Sequence, residues 1–461
     1  MTTERPFSVR SKRVTVVGAA RSGMAAAELL VRRGATVTLT DLRDHLDDED
    51  RLREAGVELE LGGHHASTFT GADLIVTSPG VPFSHPLIEA ARHAGVPVIG
   101  ELELASRWLR GKVVAITGTK GKSTTTTLTG RMLEAGGRRV LVGGNIGHAL
   151  SAQVEDSTED TIHVIEASSF QLEATDTFRP WIAVLLNFSP DHLDRHATVD
   201  EYAAAKTRIF ARQAADDWAV LNADDRATIG MAAGGRARQL LFSMRGDIPE
   251  GIVVEGDAIV RRSGADREAL VPLSAIRLLG PHLVADVLAA SAVAWLAGVD
   301  AAAMTRAVEG FSGLEHALEP AGAVGGVRFV NDSKATNIEA ARRAIESFEE
   351  GVVVILGGRF KGGDVRDLLE PLEARRATVV AIGEARPLIA EAIGRRVAVH
   401  EAADMSSAVR TAFASASPGS TVVLAPACAS FDMFSDYAER GRVFKQEVSR
   451  LQEEWNVTRE Q

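Results

Sequence analysis

In "TGTKGKST", Thr117 to Thr124, a lysine and a serine follow two closely spaced glycines. Such a set can hold an anion. Backbone N–H groups of a glycine turn at a helix start point at phosphate oxygens, Lys122 brings a mobile cation, and Ser123 brings a hydroxyl able to ligate magnesium. The usual phosphate loop leaves four residues between its first glycine and the Gly-Lys-Ser/Thr triplet. Here that first position is Ile116, and the nearest upstream glycine is Gly118. The chemistry read from these residues is phosphate binding by a shortened loop of Gly118, Thr119, Lys120, Gly121, Lys122, Ser123 and Thr124.

Two acidic strand ends follow: Glu166 in "IEASSFQLE", and Asp191, His192, Asp194 and His196 in "SPDHLDRH". Carboxylates beyond strand ends are where an α/β sheet gathers its ligand, and oxygen donors suit magnesium. A salt-bridged, solvated turn would give the second cluster the same letters. Near the start, "GAARSG" (Gly18 to Gly23) is similar to a dinucleotide fingerprint but carries Ala20 where the middle glycine would stand. It fits a nucleotide-phosphate site or a plain tight turn equally well, and Asp41 after the next strand fits a ribose contact or a helix cap. Lys206, in "EYAAAKTRIF", reads as an ordinary solvated lysine on a helix face. Lys334 and Thr336 in "NDSKATN", Lys361 in "GGRFKGGD" and the loop "PACASFDMF" come directly after apolar runs, where either ligand-binding loops or featureless turns occur.

These groups need a scaffold, and the sequence describes one. Short β-branched runs ending in glycine alternate with alanine- and leucine-rich segments at helical spacing, the pattern of an α/β protein with parallel sheets. With 461 residues and 45% hydrophobic content, the chain is long enough for three domains, expected at 1–108, 109–313 and 314–461. The turn-rich stretch "GDIPEGIVVEGDAIVRRSG" predicts a small β subsheet in the second. A net charge of −11 argues against nucleic acid as a partner. Cys428 is the single cysteine, so no intrachain disulfide forms. No apolar run of signal-peptide or membrane-span length occurs, and the expectation is a cytoplasmic protein without membrane insertion.

Taken together, "TGTKGKST", "GNIG", "EASSFQLE", "NFSPDHLDRH", "YAAAKTRIF", "FSGLEH", "NDSKATN", "LGGRFKGGD" and "PACASFDMF" resemble the Mur ligase family of ATP-dependent amide-forming enzymes. The resemblance spans essentially the whole chain, and the last three motifs are similar to the branch that adds D-glutamate. It implies a Rossmann-like N-terminal domain, a central P-loop ATPase-like domain and a C-terminal Rossmann-like domain. It further implies a monomer that uses ATP and Mg2+ to join D-glutamate to UDP-N-acetylmuramoyl-L-alanine through an acyl phosphate, with domain closure during the reaction. Catalysis would then rest on Lys122 at the β and γ phosphates, Ser123 and Glu166 at one magnesium, His192 at a second, and Lys206 as a carbamate bridging to metal.

The same resemblance assigns His282, Asp286, Asp332 and Lys334 to the nucleotide. Arg21, Ser22, Asp41 and Arg43 fall to the uridine diphosphate, and Ser78 and Asn145 to the rest of that substrate. Thr336, Lys361, Ser430 and Phe431 fall to D-glutamate, with Tyr437 closing its pocket. Two departures concern the base. Leu283 and Asp286 stand where the family has adenine-contacting asparagines, and Ala317 replaces an arginine. Leucine cannot hydrogen-bond a base, and an ionised aspartate donates nothing, so altered ATP recognition is expected. From the residues alone, a ligase for another amino acid, a small-molecule phosphotransferase and a non-catalytic nucleotide-sugar-binding protein also remain open.

Overall fold

The computed structural model describes residues 7–192, 195–277 and 281–460, with only the helical backbone given at 281–282 and 458–460. Three sheets carry the fold. The first is fully parallel, in the spatial order Val57–Glu60, Thr36–Thr40, Arg13–Val17, Leu74–Thr77, Val98–Gly100. Its first strand, "RVTVV", is buried at four of five positions, the continuous burial of a strand covered on both faces.

The second sheet has nine strands. Its parallel part runs Arg238–Ser243, Trp218–Asn222, Ile182–Leu185, Lys112–Thr117, Thr161–Glu166, Arg139–Gly144. Lys112–Thr117 lies between two strands that come later in the chain, so three parallel strands deliver their following loops to one end of the sheet. The turn-rich stretch forms Glu250–Glu255, Ala258–Ser263 and Asp266–Pro272, paired antiparallel. These strands extend the large sheet, because Phe242 and Ser243 pair in parallel with Ile252 and Val253.

Residues up to Ile276 together with His282–Gly310 make one compact unit, so the first two sheets belong to the same body. Helix Glu101–Ser106 shows how. Buried Glu103 accepts the amides of Asp176, Thr177 and Phe178, while Glu101 Oε1 accepts the amide of Ser151 at 2.6 Å. A buried carboxylate is tolerated where donors surround it, and here the donors belong to the second sheet's loops.

Residues from Phe311 onward fall in the second unit. Its sheet order is Glu319–Val324, Val327–Asn331, Thr421–Leu424, Val352–Gly357, Thr378–Ile382, Ala398–Glu401, parallel except for the first strand. Val352, Val354 and Leu356 face one apolar layer and Val353 and Ile355 the other, the two-residue alternation of a strand buried on both sides. Full burial stabilises each such side chain by about 1.5–3 kcal/mol. Among the described residues, no helix is long and apolar enough to cross a membrane.

Candidate active site

Strand Lys112–Thr117 ends in the shortened loop, and helix Lys122–Ala135 begins at its far side. Gly121 caps that helix with a left-handed backbone (φ 80°), and a Cβ there would lie 2.2 Å from Asp286 Oδ1. Only glycine satisfies both the conformation and the space. The loop is fastened from the neighbouring strand Ile182–Leu185. Asn187 Oδ1 accepts from the Lys120 amide at 2.9 Å, and its Nδ2 donates to the Lys120 carbonyl at 3.1 Å. Thr119 Oγ1 donates to the Ser189 carbonyl at 3.0 Å and lies 3.3 Å from the Tyr202 hydroxyl.

Lys122 Nζ donates to the carbonyls of Gly118 and Thr119, each at 3.0 Å, holding its charge over the loop. Lys206, on helix Val199–Thr207, points at the same carbonyl of Gly118 from 2.9 Å. It is only 1% exposed, and its Nζ sits 4.7 Å from the Tyr202 ring centroid. Burial, with repulsion from Lys122, depresses its pKa to about 6. At neutral pH the side chain is therefore largely an uncharged, nucleophilic amine.

Glu166 ends strand Thr161–Glu166 and is 2% exposed. Its Oε1 accepts from Asn145 Nδ2 at 2.7 Å, whereas Oε2 is buried and, among the described residues, has no hydrogen-bond partner. An orphaned carboxylate oxygen beside an anion loop is a group fitted for a cation. His192 is 47% exposed with a left-handed backbone (φ 55°), and its ring meets Phe170 edge-on at 5.1 Å. Its neighbour Asp191 lies 3.9 Å from Lys120 Nζ. His196 has a structural environment, stacked on Phe170 with Nε2 3.0 Å from Ser169 Oγ. Asp194 lies outside the described residues. Among those described, no three His, Cys, Asp or Glu side chains gather as a metal set. Glu166 and the Ser123 hydroxyl are oxygen donors of the kind magnesium takes, often together with phosphate oxygens and water.

At the first sheet, Gly18 and Gly23 make a turn locked by Ser78, whose buried Oγ donates to the Gly18 carbonyl at 2.7 Å. A Cβ on Gly23 would stand 1.8 Å from that carbonyl oxygen. Ser78 thus shapes the turn from behind, while Arg21 and Ser22 open helix Arg21–Arg32. Asp41 accepts the Ala19 amide at 2.6 Å and Arg43 Nε at 2.9 Å. Burial raises its pKa, but the hydrogen bonds from Arg43 and the amides prevail and hold it at about 2.

In the second unit, the loops after Val327–Asn331, Val352–Gly357 and Thr421–Leu424 carry the remaining residues. Asp332 is buried and accepts the Leu318 amide at 3.2 Å, and burial raises its pKa to about 7. Lys361 Nζ lies 3.4 Å from Thr336 Oγ1. Lys334 is exposed, Ser430 is buried, Phe431 is 64% exposed and Tyr437 is also exposed. Beneath them Arg440 is fully buried, donating to Ser333 Oγ at 2.9 Å, the Ser333 carbonyl at 2.9 Å and the Cys428 carbonyl at 3.1 Å. It ties the loop after Asn331 to the loop after Leu424.

The family models for the MurD-like N-terminal domain, the Mur ligase middle domain and the Mur ligase glutamate ligase domain match residues 12–100, 116–294 and 318–428. A protein of Acidobacterium capsulatum named UDP-N-acetylmuramoylalanine--D-glutamate ligase is 48% identical over 444 residues, 95% of this chain and 96% of that one. The chain belongs to the Mur ligase family. A ligase of the same name from Koribacter versatilis is 44% identical to this Mur ligase over 97% of its length and 99% of the relative's. The fold also matches UDP-N-acetylmuramate-alanine ligase of Thermotoga maritima, with TM-score 0.59 and 18% identity over 95% of this chain and 99% of that one. MurF ligase of the same organism gives TM-score 0.58 and 17% identity, covering 96% of both chains.

Three residues of this Mur ligase escaped the sequence reading. Asn187 had a usable signal, an amide placed directly after the apolar run "IAVLL". Tyr202 and Arg440 had none, since their partners Thr119 and Ser333 lie 83 and 107 residues away along the chain. Of the positions where the family's base contacts were expected, Leu283 is half-buried on helix Pro281–Leu296 and Asp286 is buried against the phosphate loop. The side chain of His282 lies outside the described residues.

Proposed function

We propose that this Mur ligase joins D-glutamate to UDP-N-acetylmuramoyl-L-alanine with cleavage of ATP to ADP and phosphate, as a cytoplasmic monomer making a peptidoglycan precursor. The observation that carries the reading is the intact phosphate-handling set, Lys122, Glu166 and buried Lys206 around one glycine loop, in a chain matching D-glutamate ligases almost end to end. The domain spans 1–108, 109–313 and 314–461 would take the nucleotide sugar, ATP and D-glutamate respectively.

The substrate carboxylate attacks the γ-phosphorus, ADP leaves, and the D-glutamate amine then displaces phosphate from the acyl phosphate. Negative charge concentrates in both steps, so placed cations and amides matter more than a protein nucleophile. Loop amides from Gly118 to Thr124 and the ammonium of Lys122 hold the β and γ phosphates. Ser123, Glu166, His192 and a carbamate on Lys206 would hold magnesium, which supplies charge neutralisation at the phosphate oxygens. The neutral amine of Lys206 supports that modification, since only an unprotonated amine adds to carbon dioxide.

Arg21, Ser22, Asp41, Arg43, Ser78 and Asn145 would serve the nucleotide sugar, and Asp332 and Lys334 the nucleotide side of ATP. Thr336, Lys361, Ser430, Phe431 and Tyr437 would serve D-glutamate. The deciding experiment measures phosphate release from Mg-ATP with the nucleotide sugar present and D-glutamate, L-glutamate or no amino acid added. Release that requires D-glutamate is expected; equal release without any amine would mark a phosphotransferase instead.

A further inference from the structure

Asp286 is the residue whose surroundings differ most from what its place in the sequence implies. An adenine contact needs a polar edge turned toward a ligand. Here the carboxyl is 4% exposed and turned into the protein. Oδ1 accepts from Thr125 Oγ1 at 3.1 Å, and Thr125 is itself fully buried in the first turn of helix Lys122–Ala135. The same carboxyl fills the space beside Gly121, where an added Cβ would meet Oδ1 at 2.2 Å and Cγ at 3.0 Å. One side chain thus contacts both the left-handed cap of the phosphate helix and its fourth residue, the stretch whose amides face a bound phosphate.

We propose that Asp286 is a positioning residue for the triphosphate, bracing Gly121 and Thr125 from behind the loop, and that it does not read the adenine base. The inference rests on the ATP-dependent reading above. An ionised carboxylate at this place would oppose the phosphates, and burial answers that objection by raising the group to about 8, so it stands largely protonated near neutral pH. Among the described residues Oδ2 has no hydrogen-bond partner, which leaves the bond from Thr125 as the one that fixes the carboxyl. The departure from asparagine at this position then leaves the brace intact, because protonated aspartate and asparagine share shape and neutrality.

A base reader and a loop brace differ in what they discriminate. Calorimetric binding of ATP, GTP and inorganic tripolyphosphate separates them without requiring turnover, so a wrong assignment of the amino acid substrate would alter neither outcome. Asp286→Ala should weaken all three ligands by the same factor, roughly tenfold for a lost buried bond and support. Asp286→Asn should recover most of that loss. Thr125→Val, which keeps the carboxyl and removes its donor, should produce a smaller loss with the same lack of base preference, and it provides the test if the alanine variant does not fold. A change in the ATP-to-GTP ratio with tripolyphosphate unaffected would overturn the proposal in favour of base contact. Unchanged binding of all three in the alanine and valine variants would overturn it in favour of simple packing.

Discussion

Around the phosphate loop ionisable side chains lie inside the protein, whereas on the loops of the second unit the proposed D-glutamate contacts lie mostly outside, over a buried frame. Lys206, Glu166 and Asp286 are all at least 96% buried, each held against a neighbouring strand or turn. Lys361, Phe431 and Tyr437 are exposed, over a buried frame of Arg440, Ser333 and Ser430. Both sites stand at the C-terminal ends of parallel strands, so topology does not produce the difference. The proposed ligands would account for it: stabilising charge that develops on a phosphate needs dipoles and cations fixed beforehand, and water excluded. A small amino acid can instead be enclosed by side chains that order around it, at some expense in affinity.

The comparison is broken most severely by Lys206→Ala. If the buried amine belongs to the chemistry, turnover should fall by roughly 10^3-fold while ATP affinity changes far less, as for groups that act at developing charge. Steady-state kinetics alongside nucleotide binding checks this. A 13C carbamate resonance on labelled bicarbonate, absent in the variant, would sharpen it. Turnover within tenfold of wild type would mean that burial at this site has no catalytic purpose.

Arg440→Leu tests the frame of the other region. Removing the guanidinium leaves Ser333 and the Cys428 carbonyl without their buried donor, and the expected loss is about 3 kcal/mol. Burial lowers this group's pKa to about 10, so it remains charged at neutral pH and its loss is that of a charged donor. Thermal unfolding should show the drop, with D-glutamate binding impaired and binding of inorganic tripolyphosphate, the part assigned to the phosphate loop of the first unit, retained. Equal loss of both would contradict a frame local to the second unit.

A pH series probes the buried side again. Asp286 is raised from 3.8 to about 8 in the folded chain, so folding takes up a proton between those values. Stability linked to this group is greatest below about 3.8, declines as pH rises and is lost once pH passes about 8. Between pH 6 and 8 the wild-type chain should lose about 2 kcal/mol more than Asp286→Asn, read as a steeper fall in its thermal midpoint. Parallel midpoints would show that the carboxyl is ionised in place.

These contrasts also mark what the sequence could convey. The strand, glycine turn and helix at Thr117 to Ser123 were legible because all of the signal is local. So were the β-branched runs of the three sheets. The turn-rich stretch was legible as strands but not as an extension of the large sheet, since the pairing of Phe242 with Ile252 leaves no mark in either segment alone. Lys206 illustrates the deeper limit. Its helix, "VDEYAAAKT", has no apolar stripe that would announce an inward lysine, and the carbonyl it meets is 88 residues away. Asp286 read as a base contact from its position, while its neighbours at Gly121 and Thr125 are fixed only by long-range packing.

The smallest expected effect is the most specific to the open region. Phe431 projects from the loop after Thr421–Leu424 with 64% of its surface exposed, so in the unliganded protein it adds little to the core. Replacing it by alanine should leave the thermal midpoint within the range of ordinary surface substitutions, about 0.5 kcal/mol. If the ring closes over D-glutamate, the same change should raise the KM for that amino acid several-fold, about 1 kcal/mol, because apolar area buried only on binding is lost. ATP affinity should not move. A stabilised or destabilised fold with unchanged KM would place the ring in packing and remove the distinction drawn between the two regions. A selective KM effect would instead show that the second region reserves its apolar surface for the ligand, as the first reserves its buried ionisable groups for phosphate.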